Sequence, residues 1–252
     1  MTESRSAVHR TILAVDVEGF GDRNRTTPHQ VAVRQGLYRA LDRAFRDAGM
    51  SLAECRHEDR GDGVFVLAPA QTPKGPFVES LPHALAEELR RHNATHRREE
   101  RIRLRLALHA GEVAIDEHGA TAGAINLTFR LLEARAVKTA LAESPGVLAV
   151  ITSEWFFDEV VRNSPVADPA TFRPVEVTVK ETSTVGWICR PDRPYRSDPE
   201  VLSAAGAREP AGDPRPASAD PRPPGTTVTM TATTSDHSRV YQAGGDQHIT
   251  EG

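Results

Sequence analysis

Cysteine is nearly missing from this chain: Cys55 and Cys189 are the only two in 252 residues. Two isolated cysteines make no disulfide framework and no CxxC metal site. Long apolar runs are missing as well. No stretch offers the roughly 18 to 20 apolar residues of a membrane span, and Met1 to Arg10 is polar, without the apolar core of a secretory leader. An excess of positive charge is also lacking, since 31 Lys plus Arg stand against 35 Asp plus Glu, a net charge of −4. Nonspecific nucleic-acid binding needs a basic surface, and the few aromatic residues form no base-stacking motif. Arginine far outnumbers lysine, which is a compositional bias and not a sign of a partner. The expectation is a soluble, cytoplasmic protein that partners neither nucleic acid nor membrane.

What is present suffices for a sizeable core, at 38% hydrophobic and 26% charged residues. Half of the 18 prolines fall between Pro191 and Pro224, among Arg, Asp, Ala and Gly with almost no large apolar residue. Such a stretch cannot bury enough surface to offset its ordering entropy, so 191–225 reads as a disordered linker. The following 226–252 segment is Thr-rich and ends in Arg239-Val240-Tyr241-Gln242-Ala243-Gly244-Gly245-Asp246-Gln247-His248-Ile249. It reads either as unstructured or as a strand that pairs on a partner protein. Residues 1–9 read as a disordered N-terminus, which leaves 10–190 as the foldable part.

Within that part strands and helices alternate. Thr11 to Val17 (TILAVDV) is a β-branched apolar run ending in acid, as a buried strand does. Thr27-Pro28-His29-Gln30 reads as a capping box with proline in the first turn. The helix it opens carries Leu37, Leu41, Phe45 and Ala48 on one stripe and stops at Gly49. Strands are expected around Ala53 to His57 and Gly63 to Leu67, joined by Asp59-Arg60-Gly61-Asp62. A second helix has Ser80 as cap, Pro82 early and Leu81, Leu85 and Leu89 at helical spacing. Ile102 to Leu108 (IRLRLAL) alternates apolar and basic residues, which predicts a half-exposed strand. Ile125 to about Glu143 reads as one helix, Val147 to Ile151 as a buried strand and Ser153 to Val161 as a short helix. Val175–Val179 and Val185–Cys189 close the series as a strand pair. The βαββαβ-type order points to an α+β, ferredoxin-like fold: a mainly antiparallel sheet with helices on one face.

Two carboxylates fall where strands end, Asp16 and Asp62. A carboxylate held among apolar neighbours costs several kcal/mol unless it is paired or binds a cation. Two that converge at one sheet edge make a hard-oxygen site suited to Mg²⁺ with substrate phosphates. Taken alone, both also fit turn residues facing water. Asn126 and Arg130 lie four apart on the predicted helix and so share a face. That pairing suits an amide on a sugar oxygen beside a guanidinium on a phosphate, and equally a polar stripe on an amphipathic helix.

The order of the motifs narrows these alternatives. AVDVEGF (Ala14–Phe20), RGDGVFVLAP (Arg60–Pro69), LALHAGEV (Leu106–Val113), INLTFRLLEA (Ile125–Ala134) and Val179-Lys180-Glu181 resemble, in order, successive motifs of class III adenylate and guanylate cyclases. The resemblance spans about residues 10 to 190. It implies the class III cyclase architecture and a nucleoside triphosphate as substrate, cyclised in a head-to-tail homodimer. It further implies two Mg²⁺ or Mn²⁺ ions on Asp16, Asp62 and the Val17 carbonyl. Asn126 would orient the ribose, Arg130 would stabilise the α-phosphate, and Lys180 would hold the terminal phosphates. Glu58 stands at a base-reading position, where guanylate cyclases usually have Glu and adenylate cyclases Lys; Glu accepts from guanine N1–H and N2–H. This slightly favours GTP over ATP or a pyrimidine triphosphate. The chain departs from the pattern at Gly21, at Thr128-Phe129 in place of Ala-Ala, and in a shortened stretch between Val113 and Asn126. That shortening leaves Gly119, which has no side chain, at the second base-reading position. His109 falls on the family's structural histidine and His118 in a polar turn. A catalytically silent dimerisation or nucleotide-binding module is the alternative.

Overall fold

The computed structural model of the protein describes residues 6–201. The expectations for the linker beyond residue 201, for the 226–252 tail and for residues 1–5 fall outside the described residues. The elements run β1 (Val8–Val17), α1 (Thr27–Asp47), β2 (Arg56–Asp59), β3 (Gly63–Leu67), α2 (Pro76–Glu79), α3 (Leu81–Thr95), β4 (Leu104–Asp116) and β5 (Gly119–Thr121). They continue with α4 (Gly123–Glu133), α5 (Arg135–Ala142), β6 (Leu148–Ser153), α6 (Glu154–Phe156), β7 (Arg173–Val179) and β8 (Thr182–Cys189). One sheet takes the order β2-β3-β1-β4-β6-β8-β7, with β5 hairpinned onto β4. All pairings are antiparallel except β4 with β6. The α+β class and the mainly antiparallel sheet are as expected.

The helices occupy both faces, not one. Leu13, Val15 and Val17 point to a core filled by Leu37, Leu41 and Phe45 of α1 and Leu81, Leu85 and Leu89 of α3. Ala14 points the other way, into a second core with Leu131, Leu132, Val137 and Leu141 of α4 and α5. The second layer is possible because that sheet face carries small side chains: Ala14 and Ala107 are register partners, and Ala149 lies on the next strand. A parallel pair needs a long crossover connection, and α4 with α5 form the crossover from β4 to β6. Strand β6 is buried at all six positions, facing both layers, which fits the apolar run Leu148–Ile151 that opens it.

Local chemistry moves several boundaries. Helix α1 is capped by Thr26, one residue before the expected box, with the Thr26 amide donating to His29 Nδ1 at 3.3 Å. Gln30 turns instead to the Phe20 carbonyl. The expected strand start at Ala53 is a 3₁₀ turn, Leu52–Glu54. Ser80 precedes α3 but donates to the Pro76 carbonyl rather than capping. The single helix expected over Ile125–Glu143 breaks at Ala134, which has extended backbone and is buried. After β8 the chain stays on the domain: Tyr195 lies 3.9 Å from the Arg190 guanidinium, and Val201 packs on the first core. The folded unit therefore runs past the boundary drawn at residue 190.

Candidate active site

Asp16 is the penultimate residue of β1, and Asp62 lies in the β2–β3 turn. The two are brought together by backbone: the Val17 amide donates to the Asp62 carbonyl at 2.8 Å, and Asp16 is the register partner of Gly63. Gly63 must be glycine, because a Cβ there would stand 2.0 Å from the Val15 carbonyl oxygen. Gly61 supplies the turn with φ +84, a conformation glycine adopts without steric cost. Burial pushes the Asp16 carboxyl above its usual range, and the nearby Asp62 charge adds to this, against the opposing Arg105. Arg105, the register partner of Asp16 on β4, grips it with two bonds of 2.7 Å. The Asp62 side chain is exposed and forms no ion pair among the described residues.

Arg105 was not legible as part of this site. The alternation in IRLRLAL predicts basic side chains in water, yet its side chain is only 14% exposed. Arg103 is likewise turned inward, donating to the Gly146 and Ser144 carbonyls at 3.1 and 2.9 Å and pairing with Glu18 at 2.9 Å. The strand is buried, and its arginines tie its end to Asp16 and to the loop before β6.

The basic groups lie on α4 and on the β7–β8 hairpin. Asn126 is exposed, one helical turn before the largely buried Arg130. Arg130 pairs with Glu181 at 3.1 Å and Glu133 at 3.5 Å, while its buried Nε has no partner among the described residues. Lys180 is exposed in the hairpin turn at φ +52, next to Glu181. The Glu181 carboxyl is held below its usual range by its own backbone amide and by Arg130. The departures at Thr128 and Phe129 are absorbed by packing. Thr128 is fully buried and donates to the Ala124 carbonyl at 2.9 Å, and Phe129 lies 5.8 Å from the Phe65 ring.

Glu58 lies on β2, opposite Phe65, and so on the sheet face that α4 covers. It is about one-third exposed, between Arg56 at 3.4 Å and Arg60 at 3.5 Å. Arg60 in turn covers the Phe129 ring at 5.1 Å. Arg56 carried no sequence motif; the period-two spacing from Glu58 was its one signal. His109 is buried, shares a 2.7 Å hydrogen bond with Ser153, and is driven to a pKa of about 4 by burial and by His9. It is a neutral scaffold residue. His118 is exposed in the β4–β5 turn. Burial raises both thiols, Cys55 to about 11 and Cys189 to about 12, so neither is a thiolate at neutral pH.

Among the described residues, no three His, Cys, Asp or Glu side chains gather as a metal cluster. The donor set at the sheet end is two carboxylates and backbone carbonyls. Hard oxygens of this kind, with Asp16 destabilised by its neighbour Asp62, suit a divalent ion that keeps water and phosphate as further ligands. No described helix is long and apolar enough to cross a membrane.

No protein-family model and no curated protein matches the chain. Solved structures do. The guanylyl cyclase Cya2 is 18% identical over 72% of this chain and 90% of its own, with a TM-score of 0.52. The adenylate/guanylate cyclase/hydrolase from Silicibacter pomeroyi is 19% identical over 72% and 96%, also at 0.52. The catalytic core of a rhodopsin-guanylyl cyclase with converted specificity is 14% identical over 74% and 97%, at 0.51. The domain has the fold of class III adenylyl and guanylyl cyclase catalytic domains.

Proposed function

We propose that the protein is a nucleotidyl cyclase, converting a nucleoside triphosphate to a 3′,5′-cyclic nucleotide and pyrophosphate in a head-to-tail homodimer. The observation that carries this reading is the convergence of Asp16 and Asp62 at one sheet end, fixed by the Val17–Asp62 backbone bond. Asp16, Asp62 and the Val17 carbonyl would hold two Mg²⁺ or Mn²⁺ ions. When bound, such ions polarise phosphate oxygens and ease loss of the 3′-hydroxyl proton. For Asp16 to serve, Arg105 must release at least one carboxylate oxygen. Asn126 orients the ribose, Arg130 meets the charge that develops on the α-phosphate, and Lys180 holds the terminal phosphates. In this reading Asn126 and Arg130 face the acidic pair of the other subunit, so each site is composite.

The catalytically silent alternative has its own support. Asp16 is neutralised by Arg105 and Arg130 by Glu181, as in a module that keeps its charges satisfied without substrate. Incubating the pure protein with Mn²⁺ and each of the four triphosphates, with product masses as readout, separates the two. A cyclic monophosphate with stoichiometric pyrophosphate is expected. Dimers that bind nucleotide yet never form product would establish the silent module.

A further inference from the structure

Glu58 does not stand alone. Arg56, two residues earlier on the same strand, points to the same sheet face, and its Nε approaches Glu58 Oε1 at 3.4 Å. Its Nη2 lies 3.7 Å from where a Cβ of Gly119 would be. Gly119 has φ +143, a conformation strained for any other residue, so this place cannot readily be filled from its own backbone. The Arg56 guanidinium lies beside that place, in van der Waals reach of it. Resting on the cyclase reading above, we propose that Arg56 and Glu58 together read the base, selecting one that carries an imide N–H beside a ring carbonyl.

The selection follows from donor and acceptor count. Ionised Glu58 accepts only, and Arg56 donates only. The Arg60 contact at 3.5 Å steadies Glu58 from the other side, with Arg60 lying over Phe129 and near Phe65. Both contacts to Glu58 are longer than the roughly 2.7–2.9 Å of a strong charge-assisted bond. The carboxylate therefore retains acceptor capacity, and neither terminal nitrogen of Arg56 is hydrogen-bonded among the described residues. Guanine offers N1–H beside O6, and uracil N3–H beside O4; each matches one acceptor and one donor. Adenine and cytosine present a bare ring nitrogen beside an amino group. Against them the carboxylate meets a lone pair and the guanidinium meets N–H, both unpaired on binding. A site built to hydrogen-bond one edge rejects the reversed edge because its own polar groups stay unsatisfied.

The test is equilibrium binding of the four 3′-deoxynucleoside triphosphates, which cannot cyclise, to the full chain with Mn²⁺ by calorimetry. The 3′-deoxy forms of GTP and UTP should bind at least about tenfold more tightly than those of ATP and CTP, the size expected for one mismatched polar pair. Comparing the first two identifies which imide base is preferred. Arg56→Ala should bring all four to within about threefold, and Arg56→Lys should keep part of the gap. Arg56 is exposed on a short edge strand, so circular dichroism of both variants should match the parent. Four equal affinities in the parent, or a gap that survives Arg56→Ala, would overturn the base assignment while leaving the cyclase reading intact. Failure of all four to bind would overturn both.

Discussion

Asp16 lies one residue before the end of a ten-residue strand paired on both sides, whereas Arg130 and Lys180 depend on one helix and an exposed hairpin turn. The acidic half is held by ladder hydrogen bonds and by a glycine that lets β3 press against β1. The basic half is tethered by Glu181, whose side chain is 73% exposed. Each half carries an internal counter-charge, but the two are of unequal strength. Arg105 on Asp16 is a two-bond pair largely out of water, and Glu181 on Arg130 reaches in from solvent. Exposed pairs contribute about 0–1 kcal/mol and buried ones respond far more to loss of a partner. The acidic half is therefore a template braced by a counter-charge largely out of water, and the basic half is braced by one that solvent reaches.

Breaking the template should have the largest effect. Asp16→Ala or Asp62→Ala is expected to lower kcat by at least about a hundredfold, the scale for losing one charge-stabilising group. Asp62→Ala should melt like the parent, because that side chain is exposed. Near-parental turnover in either variant would rule out the metal assignment.

The sheet that carries the template should also be its acid-sensitive part. His109, kept neutral at a pKa of about 4, binds a proton more readily in the unfolded chain, where it titrates near 6.5. Stability should be full above about pH 6.5 and fall as pH drops toward 4, by up to about 3 kcal/mol from this residue. Denaturant midpoints measured between pH 4 and 7 should show this slope, and His109→Asn should flatten it. An unchanged slope would place the acid response elsewhere.

The smallest effect is expected at the hairpin. Glu181→Ala frees Arg130 and should tighten triphosphate binding by up to about fivefold, the span of an exposed ion pair. The gain should shrink as salt is raised. Weaker binding would mean that Glu181 positions Arg130 rather than restraining it.

The same contrast governs what the sequence reveals. Asp16 and Asp62 give local signals, an apolar run ending in acid and a Gly-Asp turn, and Asn126 and Arg130 share a helix face by spacing. Those signals alone fit turns and a polar stripe equally well, and only the order of the motifs assigns the four their roles. Arg105 is not legible, because its meaning depends on pairing with a residue 89 positions away. The Ala134 break carries no Gly or Pro, so no local signal marks it, and the buried Ala134 is seen to pack in the second core only in the structure. The second helical layer escapes notice because the alanines that admit it, Ala14, Ala107 and Ala149, look unremarkable singly. Arg56 acquires a role only when the β4–β5 hairpin brings Gly119 beside it.

The proposal that an acidic half and a basic half meet across two subunits is tested most directly by mixing Asp62→Ala with Arg130→Ala. Each variant alone should be inactive. A refolded equimolar mixture should recover up to about a quarter of parental turnover, since half the dimers are mixed and each rebuilds one of two sites. No recovery, with mixed dimers shown to form by native mass spectrometry, would contradict the composite site.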